Sequence, residues 1–452
     1  MSEPDGPLAA SREPATHPAG PDRAAGNQAA DGRVAHDQVA GDQIAHDSVG
    51  RTATATRPVH PALLAYQTRT TRATRIYAAV LALVLLAVVL AVRTAYARGE
   101  LTHVSRRSAP APAPIPTGST ADALARTWLS ADRPAAGTPV HDGVVISYDS
   151  HSVHGLDART GKVRWHYTRS DQTICSVLQQ DASTIAIYNR HGNCDQVTGF
   201  VSATGAVKWL RTLTDNGITE ATSAPNVVMT VARHSVHVID NAGGLDRWNW
   251  VAPDRCSVDR ALAGSQGVLI STTCGSQHRL VLRGLTSDEL KWSVTVPQAM
   301  VPVAASAFVG ALDPSTGVLH SYSADKGEET RSDRLAAPAE LAAELDRLPR
   351  ASTAVDGFTA TGEPLEVLWL GRLYSFAETG KVNWSAPATG PATVLESSVL
   401  AAVGDSTVQR FAGATGRVEA RVRMSPAPSG AARVFPVGNG LLLAGADTQM
   451  YQ

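Results

Sequence analysis

The chain of 452 residues has no excess of charge: 40 basic side chains face 41 acidic ones. That balance excludes a broad polyanion-binding surface, and with it a general nucleic-acid binder. Lysine is scarce, with five residues, so arginine carries nearly all the positive charge. This bias, with abundant alanine, accompanies high-GC bacterial genomes. Phenylalanine is also scarce, at 6 residues against 8 tryptophans. The 4 cysteines all fall between residues 175 and 274. No G-x-S-x-G, H-E-x-x-H or phosphate-loop pattern occurs, so the commonest catalytic signatures are missing.

Residues 1–75 hold few large apolar side chains and cannot offset their ordering entropy by burial, so a disordered tail is expected. Within it a five-residue tandem (ADGRV, AHDQV, AGDQI, AHDSV) spans 30–49. That period fits neither a helix nor a strand. His36 and His46 offer a metal or partner site there, but a solvated tract is the simpler reading. Ile76–Val92 follows without a charge, and residues 76–97 read as one transmembrane helix. The AYA at 95–97 resembles a signal-peptide cleavage site. The long tail before the apolar run and Arg93 after it favour an uncleaved anchor. Arg57, Arg69, Arg72 and Arg75 precede the span, and Arg93, Arg98, Arg106 and Arg107 follow it, so charge does not orient it. Residues 98–124 read as a linker, within which SAPAPAPIPTGS (108–119) alternates proline with alanine and reads as a semi-rigid stalk.

From residue 125 the texture becomes short β-rich runs broken by Gly, Asp and Asn. LDARTGKVRW ends at Trp165, and six further copies end at Trp209, Trp248, Trp292, Arg331, Trp384 and Ala420. The intervals are 44, 39, 44, 39, 53 and 36 residues. The long one contains PAELAAELDRL (338–348), whose Leu341, Leu345 and Leu348 fall on one helical face, so a helical insertion is expected there. Each period reads as four antiparallel strands, the unit of a β-propeller blade. Gly supplies the positive φ of the hairpin, Asp or Ser before it bonds the turn amides, and Trp buries against a neighbouring blade. The C-terminus supplies three strands without a Trp strand, and Trp128 lies 37 residues before Trp165. If the Trp128 segment is the missing strand, eight blades close into a ring without exposed edges. If TADALARTWLSA is a helix, seven blades and an incomplete one remain.

The stretch GLDARTGKVRW resembles the tryptophan-docking motif of the PQQ-like propeller superfamily, Ala-x-Asp-x-x-Thr-Gly-x-x-x-Trp. Asp157, Thr160, Gly161 and Trp165 match, while Gly155 replaces the alanine. Partial matches are Thr204, Gly205 and Trp209; Asp240, Gly244 and Trp248; and Thr379, Gly380 and Trp384, with Trp292 as a further plate. The resemblance covers roughly 125–452 and implies an all-β propeller fold. Members include quinoprotein dehydrogenases and the lipoprotein of the bacterial outer-membrane assembly machine. The layout also resembles actinobacterial single-pass membrane proteins with an extracytoplasmic PQQ-like domain. Kinship with the dehydrogenases would imply a quinone, a Ca²⁺ and a disulfide between adjacent cysteines. No two cysteines here are neighbours, so no cofactor, metal ligand or catalytic residue is assigned.

Cys175 and Cys194, and Cys256 and Cys274, are similarly spaced, and each pair is expected on the first and second strands of one blade as a disulfide. Disulfides imply an oxidising compartment, with the propeller outside and the tail in the cytoplasm. HSVH occurs at 151–154 and 234–237. Residues three apart on a strand face opposite sides, so a shared metal is not expected. The resulting expectation is a membrane-anchored, non-catalytic binding or scaffolding module of the cell envelope with protein partners. A ligand sensor and a quinone enzyme are the alternatives.

Overall fold

The computed structural model describes residues 74–93 and 103–452, apart from 117, 214–216, 225, 336–364, 370, 396, 429 and 431. The tail with its 30–49 tandem, residues 94–97 and the expected helix at 338–348 lie outside the described residues. Thr74–Arg93 is a single helix of 20 residues. At 1.5 Å per residue it is about 30 Å long, the thickness of a bilayer's hydrocarbon core. Its only charges are Arg75 and Arg93 near its two ends, and its apolar side chains are exposed throughout.

The remainder is all-β and propeller-like. Consecutive strands form sheets in chain order, such as Ile218–Ala224, Val227–Ala232, Ser235–Asp240 and Asp246–Val251. Cys256–Gly264 to Leu290–Val296 and Val301–Ala305 to Glu329–Arg334 repeat this four-stranded order. The Trp209 sheet runs from Thr173–Gln180 to Val207–Thr212, and Ala136–Gly137 adds to its first strand in parallel. The Trp384 sheet has three described strands: Leu365–Trp369, Arg372–Phe376 and Val382–Pro387.

Second strands such as Val227–Ala232 are buried at every residue, because sheets cover both their faces. Outer strands such as Val163–Arg169 alternate between partly buried and buried positions beyond their first residue. The core is divided among the spaces between successive sheets. One cluster joins Val145, Leu156 and Ala158 of the Trp165 sheet to Phe435, Val437, Leu442 and Met450 near the C-terminus.

Ala123–Ser130 is a strand, despite the helical propensity of its sequence. It pairs antiparallel with Thr448–Tyr451, with Trp128 opposite Met450, so the first long strand completes the last sheet. Its opening residues also pair in parallel with Val418–Ser425, with Ala123 opposite Arg423. The result is one continuous sheet of eight strands.

The Pro/Ala segment does not stand free over its described length. Val104–Arg107 adds as an antiparallel strand to the outer edge of Val163–Arg169. The amide of Ala109 donates to Thr204 O at 3.0 Å, and Arg164 donates to Pro110 O at 2.9 Å. Ile115 packs against the cluster of Phe435, Val437 and Leu442. A polyproline-like backbone has no internal hydrogen bonds, so its carbonyls are open to donors on the propeller.

Candidate functional site

The repeated motif residues come together as an inter-sheet joint. Asp157 Oδ1 accepts from Arg159 N, Thr160 N and Thr160 Oγ1 at 3.0–3.2 Å, closing the turn before Gly161. Asp240 Oδ1 does the same for Ala242 N and Gly243 N at 2.9 and 2.8 Å. The Gly243 amide, followed by the Arg247 guanidinium, holds the Asp240 carboxyl below its ordinary range, against a smaller opposing effect of burial. Thr204 Oγ1 accepts from Ala206 N at 3.3 Å, while Thr379 and Gly380 form the equivalent turn ahead of Trp384.

Each indole serves the following sheet. Trp165 Nε1 donates to Ser202 O at 2.9 Å and its ring covers Gly205, where a Cβ would come within 2.5 Å of a ring carbon. Trp128 sits on Gly161 and bonds Ala158 O; Trp209 sits on Gly244 and bonds Asn241 O. Trp292 and Trp384 repeat the arrangement on Gly327 and Gly416, and Trp248 bonds Leu285 O. The turn glycine is therefore required twice, for its positive φ and for the ring above it. Spacing alone did not reveal that the partner lies one repeat later. Arg331 has no ring to dock, and Phe308 and Ser321 lie over Gly380 in its place.

The cysteines are joined as Cys175–Cys194 and Cys256–Cys274, with Cα separations of 6.1 and 4.0 Å. Cys256 and Cys274 are directly opposite on first and second strands. Cys194 instead lies on the third strand of its sheet, Asn193–Val201, which corrects the expectation for that pair. A register shift skips Cys175, and the tight 191–192 turn folds Cys194 back towards it. With every cysteine bonded across its own sheet, none is left for the adjacent-cysteine disulfide of a quinoprotein. The residues present do not fit that cofactor.

The two HSVH copies share no ligand internally. His151 Nδ1 lies 2.7 Å from Gln172 O, just before the first strand of the next sheet, and His234 Nδ1 lies 2.9 Å from Cys256 O, at the start of such a strand. His154 Nδ1 lies instead 2.9 Å from Asp132 Oδ2. This hydrogen bond holds the Asp132 carboxyl below its ordinary range, against a smaller opposing effect of burial. Burial lowers the His166 imidazole, aided by the charges of Arg107 and His154.

Asp132, Asp149 and His154 each offer a ligand atom within 4.8 Å of the others, so this set has the donors to hold a metal ion. Sequence reading missed the set because Asp132 and Asp149 come from two separate loops. Asp149 Oδ1 also caps His151 N and Ser152 N at 2.7 Å.

Two of the cavities among the described residues bear on recognition. One of about 240 Å³ is lined by Gly137, Thr138, Val140, His141, Gln179–Asp181 and Ser223. The other, of about 510 Å³, lies where Asp122 and Ala123 enter the seam, beside Val403, Thr407, Gln409, Arg421 and Arg423.

Residues 116–333 match the family model described as outer membrane protein assembly factor BamB, so this stretch is similar to that family. A 147-residue stretch is 27% identical to the serine/threonine-protein kinase AfsK of Streptomyces griseus. It covers 30% of this chain and only 18% of the kinase. The crystal structure of BamB from Moraxella catarrhalis aligns with a TM-score of 0.45 at 15% identity, covering 73% of this chain and 99% of that one. Quinohemoprotein alcohol dehydrogenase from Comamonas testosteroni aligns with a TM-score of 0.45 at 14% identity, covering 73% and 76%.

Proposed function

We propose that the chain is a single-pass membrane protein displaying an eight-bladed propeller outside the cytoplasm, as a non-catalytic binding or scaffolding module of the cell envelope. The observation that carries this reading is the fate of the motif residues. Asp157, Thr160, Gly161, Trp165 and their counterparts are committed to turns and to the next sheet, which leaves the loops and the seam as recognition surface. The orientation rests on the two disulfides, which persist in oxidising compartments and not in the cytoplasm. Residues 76–97 are the anchor, 1–75 the cytoplasmic tail, 98–124 the linker and 125–452 the propeller.

All five lysines lie in the propeller and are exposed: Lys162, Lys208, Lys291, Lys326 and Lys381. A membrane-impermeant amine reagent applied to intact cells is expected to label them. Labelling only after lysis would refute the orientation. Crosslinking in the native membrane would then identify protein partners. A sensor that signals through a partner is the second reading, favoured by the kinase among the relatives. A change in the tail's crosslinks when a ligand is added from outside would select it.

A further inference from the structure

The seam cavity carries an unusual charge pattern. Thr407 pairs with Arg423 and Gln409 with Arg421 across two antiparallel strands, so all four side chains share one face. The opposite face, Val408, Val422 and Met424, is buried. The outer-strand arginines Arg164, Arg211, Arg247 and Arg331 are each paired with an aspartate. In the seam sheet Arg410 lies 4.0 Å from Glu419. Arg421 and Arg423 have no side-chain partner among the described residues. Asp122 lines the same cavity, but no ion pair joins it to either arginine. At the repeat position of Arg421 the other copies have His166, Leu210, Asn249, Ser293, Ser332 and Ser385. The pair of cations therefore belongs to this seam and not to the repeat.

We propose that this cavity binds the phosphoryl group of a phosphate ester. Two guanidinium forks two residues apart on a strand, with an amide and a hydroxyl opposite, form a donor-rich floor about 6.6 Å long. A carboxylate occupies one such fork, whereas the several oxygens of a phosphoryl group engage both. The volume of about 510 Å³ leaves room for the organic part of the ester. A lipid headgroup and a soluble phosphoester share this chemistry. The inference deepens the reading of a binding module, and binding measured in vitro does not depend on the orientation that lysine labelling tests.

The test uses the full chain in a maltoside detergent, titrated calorimetrically with glycerol 1-phosphate and with short-chain phosphatidylglycerol. Saturable binding is expected, weakened at least about tenfold by the double substitution R421Q/R423Q, with circular dichroism and both disulfides unchanged. Tighter binding of the lipid would identify a headgroup site, and tighter binding of glycerol phosphate a soluble ester. No saturable binding of either probe, affinity unchanged by the substitutions, or equal binding of acetate would overturn the proposal.

Discussion

Gly205→Ala separates the two demands placed on the turn glycines. A Cβ at Gly205 would fall 2.5–2.7 Å from three ring carbons of Trp165. The ring has little freedom to retreat. It is fully buried, bonded to Ser202 O at 2.9 Å and stacked on Phe200 with centroids 6.2 Å apart. Gly192, with φ of +92° and nothing within 4 Å of its Cβ position, is the control for backbone conformation alone. Gly192→Ala should cost about 1–2 kcal/mol, the penalty of a left-handed non-glycine residue. Gly205→Ala adds overpacking of about 1–3 kcal/mol, for a total of about 2–5 kcal/mol. Urea unfolding of the full chain in detergent, followed by circular dichroism with disulfides intact, measures both. In a Trp165→Ala background the extra cost at Gly205 should vanish, because the ring that causes it is gone. Equal effects at Gly192 and Gly205, or an excess that survives Trp165→Ala, would refute the docking argument.

Replacing either cysteine pair with serine should destabilise the propeller by about 3 kcal/mol, since both close loops of similar length. The two pairs, separated by 19 and 18 residues, should therefore lower the urea midpoint by similar amounts. The Asp132 carboxyl is held low by its hydrogen bond with His154, so its stabilisation is present above its unfolded value and lost as pH falls through the folded value. Asp132→Asn should flatten the decline of the melting temperature on acidification below about pH 4. An unchanged acid slope would show that the Asp132–His154 contact contributes nothing to stability.

The period was legible because its chemistry recurs. A Thr-Gly turn four residues before a tryptophan announces a hairpin and a large apolar plate wherever it stands. The sequence spacing could not show which sheet receives the plate, because Trp165 meets Gly205 and not the nearer Gly161. The Pro/Ala segment reads the same whether free or bound, since its polar contacts with the propeller are made by backbone amides and carbonyls that composition does not reveal. Cys194 falls on the third strand and not the second because the tight 191–192 turn between those strands leaves no mark in the cysteine spacing. Asp132, Asp149 and His154 meet only after two loops and a strand are folded. The seam cavity is less legible still, because Ala123 and Arg423 lie at opposite ends of the propeller sequence and touch only on closure.

The places where the repeat loses its tryptophan are informative. Ala420 occupies the docking position in the first half of the eight-stranded sheet, so no indole at that position ties its two halves together. Strand pairing and side-chain burial hold them instead. Ala123–Ala125 adds to the outer strand at Arg423–Ser425, and Leu124 and Tyr451 are buried with Val422, Met424, Val434 and Leu443. The Tyr451 hydroxyl donates to Pro426 O at 3.0 Å across the same junction. One sheet later Trp128 resumes the series by docking on Gly161. The seam therefore has its own means of attachment, and its outer strand is free of the constraint that fixes the others. Arg421 and Arg423 stand on that released strand, where side chains can serve a ligand without weakening a tryptophan joint.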